Sequence, residues 1–167
     1  RLYTEVVGND LTVVSWGASV IQCMQAIERS GRSIELIDLR TLYPFDMDAV
    51  EASVKKTGRC VVVHEAPLTC GFGSEISARI MERCFLHLEA PVQRVAGFDT
   101  TMPYYKLELD YLPDALRVTR AILETLAAHP ETAMVCVVHS ETSTGVRHPV
   151  GELGEAMQAM GSDALLY

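Results

Sequence analysis

Short runs of aliphatic and β-branched residues alternate along this chain with stretches in which apolar residues return every third or fourth position. Residues 2–7 form a strand candidate closed by Gly8-Asn9-Asp10, and residues 11–16 form a second one rich in threonine and valine. Turn chemistry between two such runs predicts a hairpin on local grounds. Residues 17–29 read as a helix with Val20, Met24 and Ile27 facing inward, ended by Gly31 in a left-handed position, and residues 33–39 read as the next strand. Tyr43-Pro44 then breaks the chain, Asp46 caps a helix with the inner stripe Met47, Val50 and Val54, and Gly58 ends it.

The stretch from residue 60 to 76, CVVVHEAPLTCGFGSEI, organises the rest. Val61, Val62 and Val63 show no polar alternation, which suits a strand buried on both faces, as parallel strands are. A helix follows, with Ser74 expected as N-cap and Ile76, Ile80, Met81, Cys84, Phe85 and Leu88 on one stripe. Loops that leave the carboxyl ends of strands in open α/β sheets are where ligands and partners sit, which makes His64 and Glu65 candidates for a site. Residues 91–96 form a fifth strand, residues 97–110 an irregular loop, and Pro113 with Asp114 starts a helix over residues 112–128. Past His129-Pro130 come a strand at 133–138, the polar loop SETSTG, a helix carrying Val150, Leu153, Met157 and Met160, and the start of a strand at 164–167.

This alternation predicts an α/β fold, a three-layer α/β/α domain around a mostly parallel, doubly wound sheet. Residues 1–126 make the domain, and residues 127–167 add a βα(β) unit that is not an independent domain. A right-handed crossover should place the strand at 133–138 beside the fifth strand.

At 167 residues the chain suffices for one ordinary domain with an appendage, and 49% hydrophobic with 22% charged residues is a globular composition. The formal charge of −8, with the 14 lysines and arginines dispersed, argues against nucleic acid as a partner. No apolar run approaches the roughly 20 residues that span a bilayer, and no leader pattern is seen, so no membrane partner is expected. Cys23, Cys60, Cys70, Cys84 and Cys136 form an odd set without a Cys-x-x-Cys pair, which predicts free thiols in a reducing compartment.

His64 and Glu65 could relay protons as an acid/base pair. Adjacent residues on an extended segment point to opposite sides, however, which favours two side chains serving the loop instead. Gly71-Phe72-Gly73 ahead of a helix suggests anion binding, but Ile76 replaces the third glycine of a dinucleotide fingerprint and Phe72 crowds the approach, so close backbone packing is expected. Arg40 after a strand end serves either an anion or a local ion pair. His64-Glu65 lacks the helical second histidine of a zincin, and His139 and Glu141 lack a third ligand, so no metal site is expected.

The ordered segments LRTLYPFDMDAV, HEAPLTCGFGSEI and CFLHLEAPVQRVAGFDTTMP resemble the C-terminal, transketolase-like domain of the beta subunit of thiamine-diphosphate-dependent 2-oxo acid dehydrogenases, the branched-chain type above all, over residues 10–122. The resemblance implies that the first strand runs antiparallel and pairs with the third, against the hairpin. It implies no catalytic residue here: the alpha subunit holds the cofactor diphosphate and magnesium, and the activating glutamate lies in the beta subunit's N-terminal domain. The chain alone is therefore expected to bind no cofactor and to be inactive. His64, Glu65, Gly71, Phe72, Gly73 and Arg40 become structural and interface positions. The implied partners are alpha and beta subunits in a heterotetramer and the lipoyl acyltransferase core, in the mitochondrial matrix or the bacterial cytoplasm.

From residue 127 the sequence VCVVHSETSTGVRHPVGELGEAM resembles a different family, the class V pyridoxal-phosphate aminotransferases. That resemblance puts Thr142, with Ser143 beside it, at the loop under the cofactor. A working site also needs a ring-nitrogen aspartate and a Schiff-base lysine, and no lysine follows Lys106. The leading expectation is a non-catalytic assembly domain of a branched-chain 2-oxo acid dehydrogenase beta subunit. A free-standing binding module and an aminotransferase fragment are the alternatives.

Overall fold

The computed structural model of the protein describes residues 3–127 and, beyond them, four two-residue strands. Residues 1–129 and 130–167 separate into two compact units. In the first, β1 (Tyr3–Val6), β2 (Leu11–Ser15), β3 (Ile34–Asp38), β4 (Cys60–Pro67) and β5 (Gln93–Gly97) form one sheet in the order β1-β3-β2-β4-β5. β1 runs antiparallel to β3, and the other pairs are parallel. The hairpin is thus displaced by the pairing that the family resemblance implies. Gly8 explains part of this, because a Cβ there would lie 2.6 Å from the Glu35 nitrogen, so the link after β1 runs tight against β3.

The central strands are buried throughout, which is why they lack polar alternation. Leu11, Val13, Val61 and Val63 face α1 (Ser19–Ser30) and α5 (Ala115–Ala127), against Cys23, Ile27, Val118 and Ile122. Val14, Cys60 and Val62 face α2 (Met47–Thr57) and α3 (Phe72–Cys84), against Val50, Val54, Ile76 and Ile80. The three-layer architecture follows from these two cores.

Several local expectations shift. α3 starts at Phe72 with Gly71 in the cap position, so Ser74 is not the N-cap. The Ser74 hydroxyl instead meets the Arg94 guanidinium. On the predicted inner stripes Met24, Met81 and Phe85 are exposed, whereas Val20, Ile27, Ile76, Ile80 and Cys84 are buried as expected, with Cys23 and Ala26 buried beside Val20 and Ile27. The apolar arc of each helix is narrower than the count of apolar residues suggests. α4 (Glu108–Tyr111) occupies the end of the stretch read as an irregular loop. α5 begins three residues later than predicted, with the Asp114 carboxylate accepting from the Arg117 amide at 2.7 Å. Cys23, Cys60 and Cys84 are free and buried, Cys70 is free and exposed, and Cys136 lies outside the described residues.

In the second unit β6 (Met134–Val135) pairs in parallel with β9 (Leu165–Leu166), and β7 (Ser140–Glu141) pairs antiparallel with β8 (Val146–Arg147). Most of the stretch expected as a tail strand at 133–138 beside β5 lies outside the described residues. The predicted helix at 150–160 lies outside the described residues.

Candidate functional site

The sheet order puts its topological switch between β2 and β4, since α1 leaves β2 on one face and α3 leaves β4 on the other. In open α/β sheets that crevice, at the carboxyl ends of the strands, is the usual ligand position. Ser15 and Val63 are the last paired residues of the two strands, so Trp16 and His64 come next, side by side. Their rings stack 5.2 Å apart at an interplanar angle of 7°. Phe72 meets Trp16 edge-on at 5.8 Å, Phe45 meets Phe72 edge-on at 5.7 Å, and the Arg79 guanidinium lies 5.1 Å from the Phe45 ring centre. An aromatic plug thus fills the place where the fold would offer a ligand its crevice.

Gly71 and Gly73 exist for this plug. A Cβ on Gly71 would lie 2.6 Å from the His64 Cε1, and one on Gly73 would lie 2.6 Å from its Cδ2. The expectation of close backbone packing for Gly71-Phe72-Gly73 is met by this cradle, and no side chain but hydrogen fits between α3 and the imidazole. His64 is 1% exposed, and neither ring nitrogen has a hydrogen-bond partner among the described residues. Burial, helped by the charge on Arg94, lowers its pKa from the ordinary value, so the neutral imidazole is the favoured form. Glu65 points the other way and is exposed, so the two side chains do not form an acid/base pair.

At the mouth of the same end, the Asp99 carboxylate accepts from the Thr69 amide at 2.7 Å and from its hydroxyl at 2.6 Å. These bonds lower the Asp99 pKa. Arg40, left-handed at φ 56°, pairs with Asp38 at 2.5 Å and with Glu5 at 2.7 Å, bracing β1 against β3. The local ion pair is therefore the reading of Arg40 that the geometry carries. Thr142, Ser143 and His139 lie outside the described residues.

Trp16 is the residue that sequence reasoning missed. It is the sole tryptophan and follows directly on a buried strand, a signal that could have placed it at the strand end beside His64. Arg94 and Asp99 were missed as partners of the loop 67–74 because their contacts join segments about 20 to 30 residues apart.

Thiamine diphosphate with magnesium, the cofactor pair that the resemblance brings to mind, does not fit these residues. The crevice is filled by rings, and no group of three or more histidine, cysteine or acidic side chains among the described residues is placed to hold a metal ion.

The described domain is a doubly wound α/β fold whose switch crevice is filled by the rings of Trp16, His64 and Phe72. The family model for the transketolase C-terminal domain matches residues 2–118, and the chain belongs to that family. It is 52% identical over 123 residues to the mitochondrial 2-oxoisovalerate dehydrogenase subunit beta of Dictyostelium discoideum, covering 71% of this chain and 33% of that protein. It is 48% identical over 114 residues to the 2-oxoisovalerate dehydrogenase subunit beta of Pseudomonas aeruginosa, covering 68% and 32%. To the pyruvate dehydrogenase E1 component subunit beta of Leifsonia xyli it is 49% identical over 123 residues, covering 72% and 36%. Among solved structures, a split-gene transketolase described as an inactive beta4 tetramer aligns with a TM-score of 0.65 at 26% identity, over 75% of this chain and 41% of the other. The chain spans about a third of the length of the curated relatives it matches.

Proposed function

We propose that this chain is the non-catalytic assembly domain of the beta subunit of a 2-oxo acid dehydrogenase, of the branched-chain type. The observation that carries the non-catalytic part is the Trp16–His64 stack, which occupies the crevice a ligand would use. Identity to 2-oxoisovalerate and pyruvate dehydrogenase beta subunits supports the class of enzyme, and the branched-chain type rests on the 52% identity to the Dictyostelium protein, set beside 48% to the Pseudomonas 2-oxoisovalerate subunit and 49% to the Leifsonia pyruvate subunit.

In this reading thiamine diphosphate and magnesium are held elsewhere in the parent complex, and this domain builds contacts with alpha and beta subunits and with the lipoyl acyltransferase core. His64, Gly71, Phe72 and Gly73 keep the end of the sheet rigid, while exposed Glu65 and Arg40 with its partners border the contact surface. The setting is the mitochondrial matrix or the bacterial cytoplasm. No helix among the described residues is long and apolar enough to cross a membrane.

The test is to mix the full chain with the alpha subunit and, separately, with the acyltransferase core of a branched-chain complex, and to measure the mass of each mixture by light scattering. A stable species heavier than either component supports the reading. Unchanged masses in both mixtures, up to tens of micromolar, overturn it.

A further inference from the structure

On the α3 face of β5 lies a groove of about 600 Å³, within the size range of small-molecule sites and separate from the aromatic plug. Its wall is apolar, made by Met81 and Phe85 of α3, Leu88 and Val92. One end is polar. There the Arg94 guanidinium donates through Nη1 to the Leu68 carbonyl at 3.0 Å and to the Ser74 hydroxyl, both neutral, and among the described residues it has no anionic partner within salt-bridge distance. Beside it the buried Ser77 hydroxyl has no hydrogen-bond partner. Glu89 also lines the groove, but its carboxylate is paired with Arg59 at 2.6 Å, so it does not cancel the cation at the other end.

A hydrophobic wall that ends in an arginine hydrogen-bonded only to neutral groups, with the Asp99 carboxylate acting on it from beyond salt-bridge distance, is complementary to one kind of molecule. We propose that this groove binds a small aliphatic carboxylate, its hydrocarbon chain against Met81, Phe85, Leu88 and Val92 and its carboxylate on Arg94. The carboxylate would give Arg94 an anion in direct contact, where Asp99 acts on it only from beyond salt-bridge distance. The chain would cover Met81 and Phe85, which stand 41% and 63% exposed.

The experiment is an amide NMR titration of the isotope-labelled full chain with hexanoate, octanoate and decanoate, each below its micellar range, and with 1-octanol and octylammonium. Shifts should concentrate at residues 74–94, and affinity should rise roughly four-fold per added methylene. Octanoate should bind at least about ten-fold more tightly than 1-octanol, and octylammonium more weakly still. Arg94→Gln should abolish the preference for octanoate over octanol. Because that change also releases Leu68 and Ser74, Met81→Glu serves as a second variant at an exposed position, and it should weaken octanoate about ten-fold while the spectrum stays folded. Equal binding of octanoate and 1-octanol to the unaltered chain, shifts centred on the exposed stretch 98–109, or no response at millimolar octanoate would each overturn the proposal.

Discussion

Gly73 and His64 define how tightly this fold is specified at a single point. A methyl group on Gly73 must displace a buried ring that Trp16 holds in place, so Gly73→Ala should cost about 1–3 kcal/mol in urea unfolding despite alanine's better helix propensity. The loss should shrink when His64 is also cut to alanine, since the two side chains share one space. Gly71→Ala should not be rescued in that way, because the Pro67 carbonyl, a backbone atom, also blocks its Cβ. His64 makes a second prediction, about pH. Its folded pKa lies below the ordinary value of 6.5, so the unfolded chain takes up the proton first as pH falls. The stability this group contributes is complete above about 6.5 and is lost as pH drops toward the folded pKa. Urea midpoints measured from pH 8 down to pH 5 should decline more steeply in the natural protein than in His64→Gln. Equal slopes would mean that the ring is hydrated or partnered. Position 64 was legible in the sequence as a strand-end candidate, and the glycines as packing positions. The role of Trp16 was not, because ring stacking depends on register between β2 and β4, which local pattern does not encode.

Elements in this chain are set by caps and by two-sided burial. The Asp46 carboxylate accepts from the Ala49 amide at 3.1 Å, and Gly58 ends the same helix in left-handed geometry with its amide on the Val54 carbonyl at 2.8 Å. Asp46→Ala should therefore lower stability by about 1 kcal/mol without altering the fold, measured by thermal or urea unfolding with unchanged far-ultraviolet dichroism. A change within a few tenths would place the helix start under the control of packing by Met47 and Phe45 instead. These signals were legible because both are local. The start of α3 was misread for the opposite reason: Ser74 has the chemistry of a cap, yet Arg94 takes its hydroxyl and the helix extends back to Phe72, whose ring packs on Trp16 and Phe45. Tertiary contact overrides propensity there. Likewise Met24, Met81 and Phe85 are apolar enough to read as core, but the sheet can cover only part of each helix.

Across the whole molecule the alternation of strands and helices announced a doubly wound sheet, and nothing local announced that the first strand would cross to β3. That pairing needs Gly8 to run close to β3 and Arg40 to tie Glu5 to Asp38, contacts between residues 26 to 35 positions apart. The same sheet order bears on catalysis. A 2-oxo acid decarboxylase has to hold its cofactor and substrate where water is excluded and charges are aimed at the reacting bond. The end of the sheet that could offer such a place is filled here by Trp16, His64 and Phe72, and charged groups around it are already engaged, Asp99 with Thr69 and Arg40 with Asp38 and Glu5. The purified chain, supplied with thiamine diphosphate, magnesium and a branched-chain 2-oxo acid, should therefore neither release carbon dioxide nor reduce an artificial electron acceptor above the protein-free rate. Calorimetric titration with thiamine diphosphate and magnesium should give no saturable heat. Saturable binding near one equivalent together with substrate-dependent turnover would reverse the assignment of this domain to assembly. Turnover that appears only when alpha subunit and an intact beta subunit are present would leave it with the role proposed here.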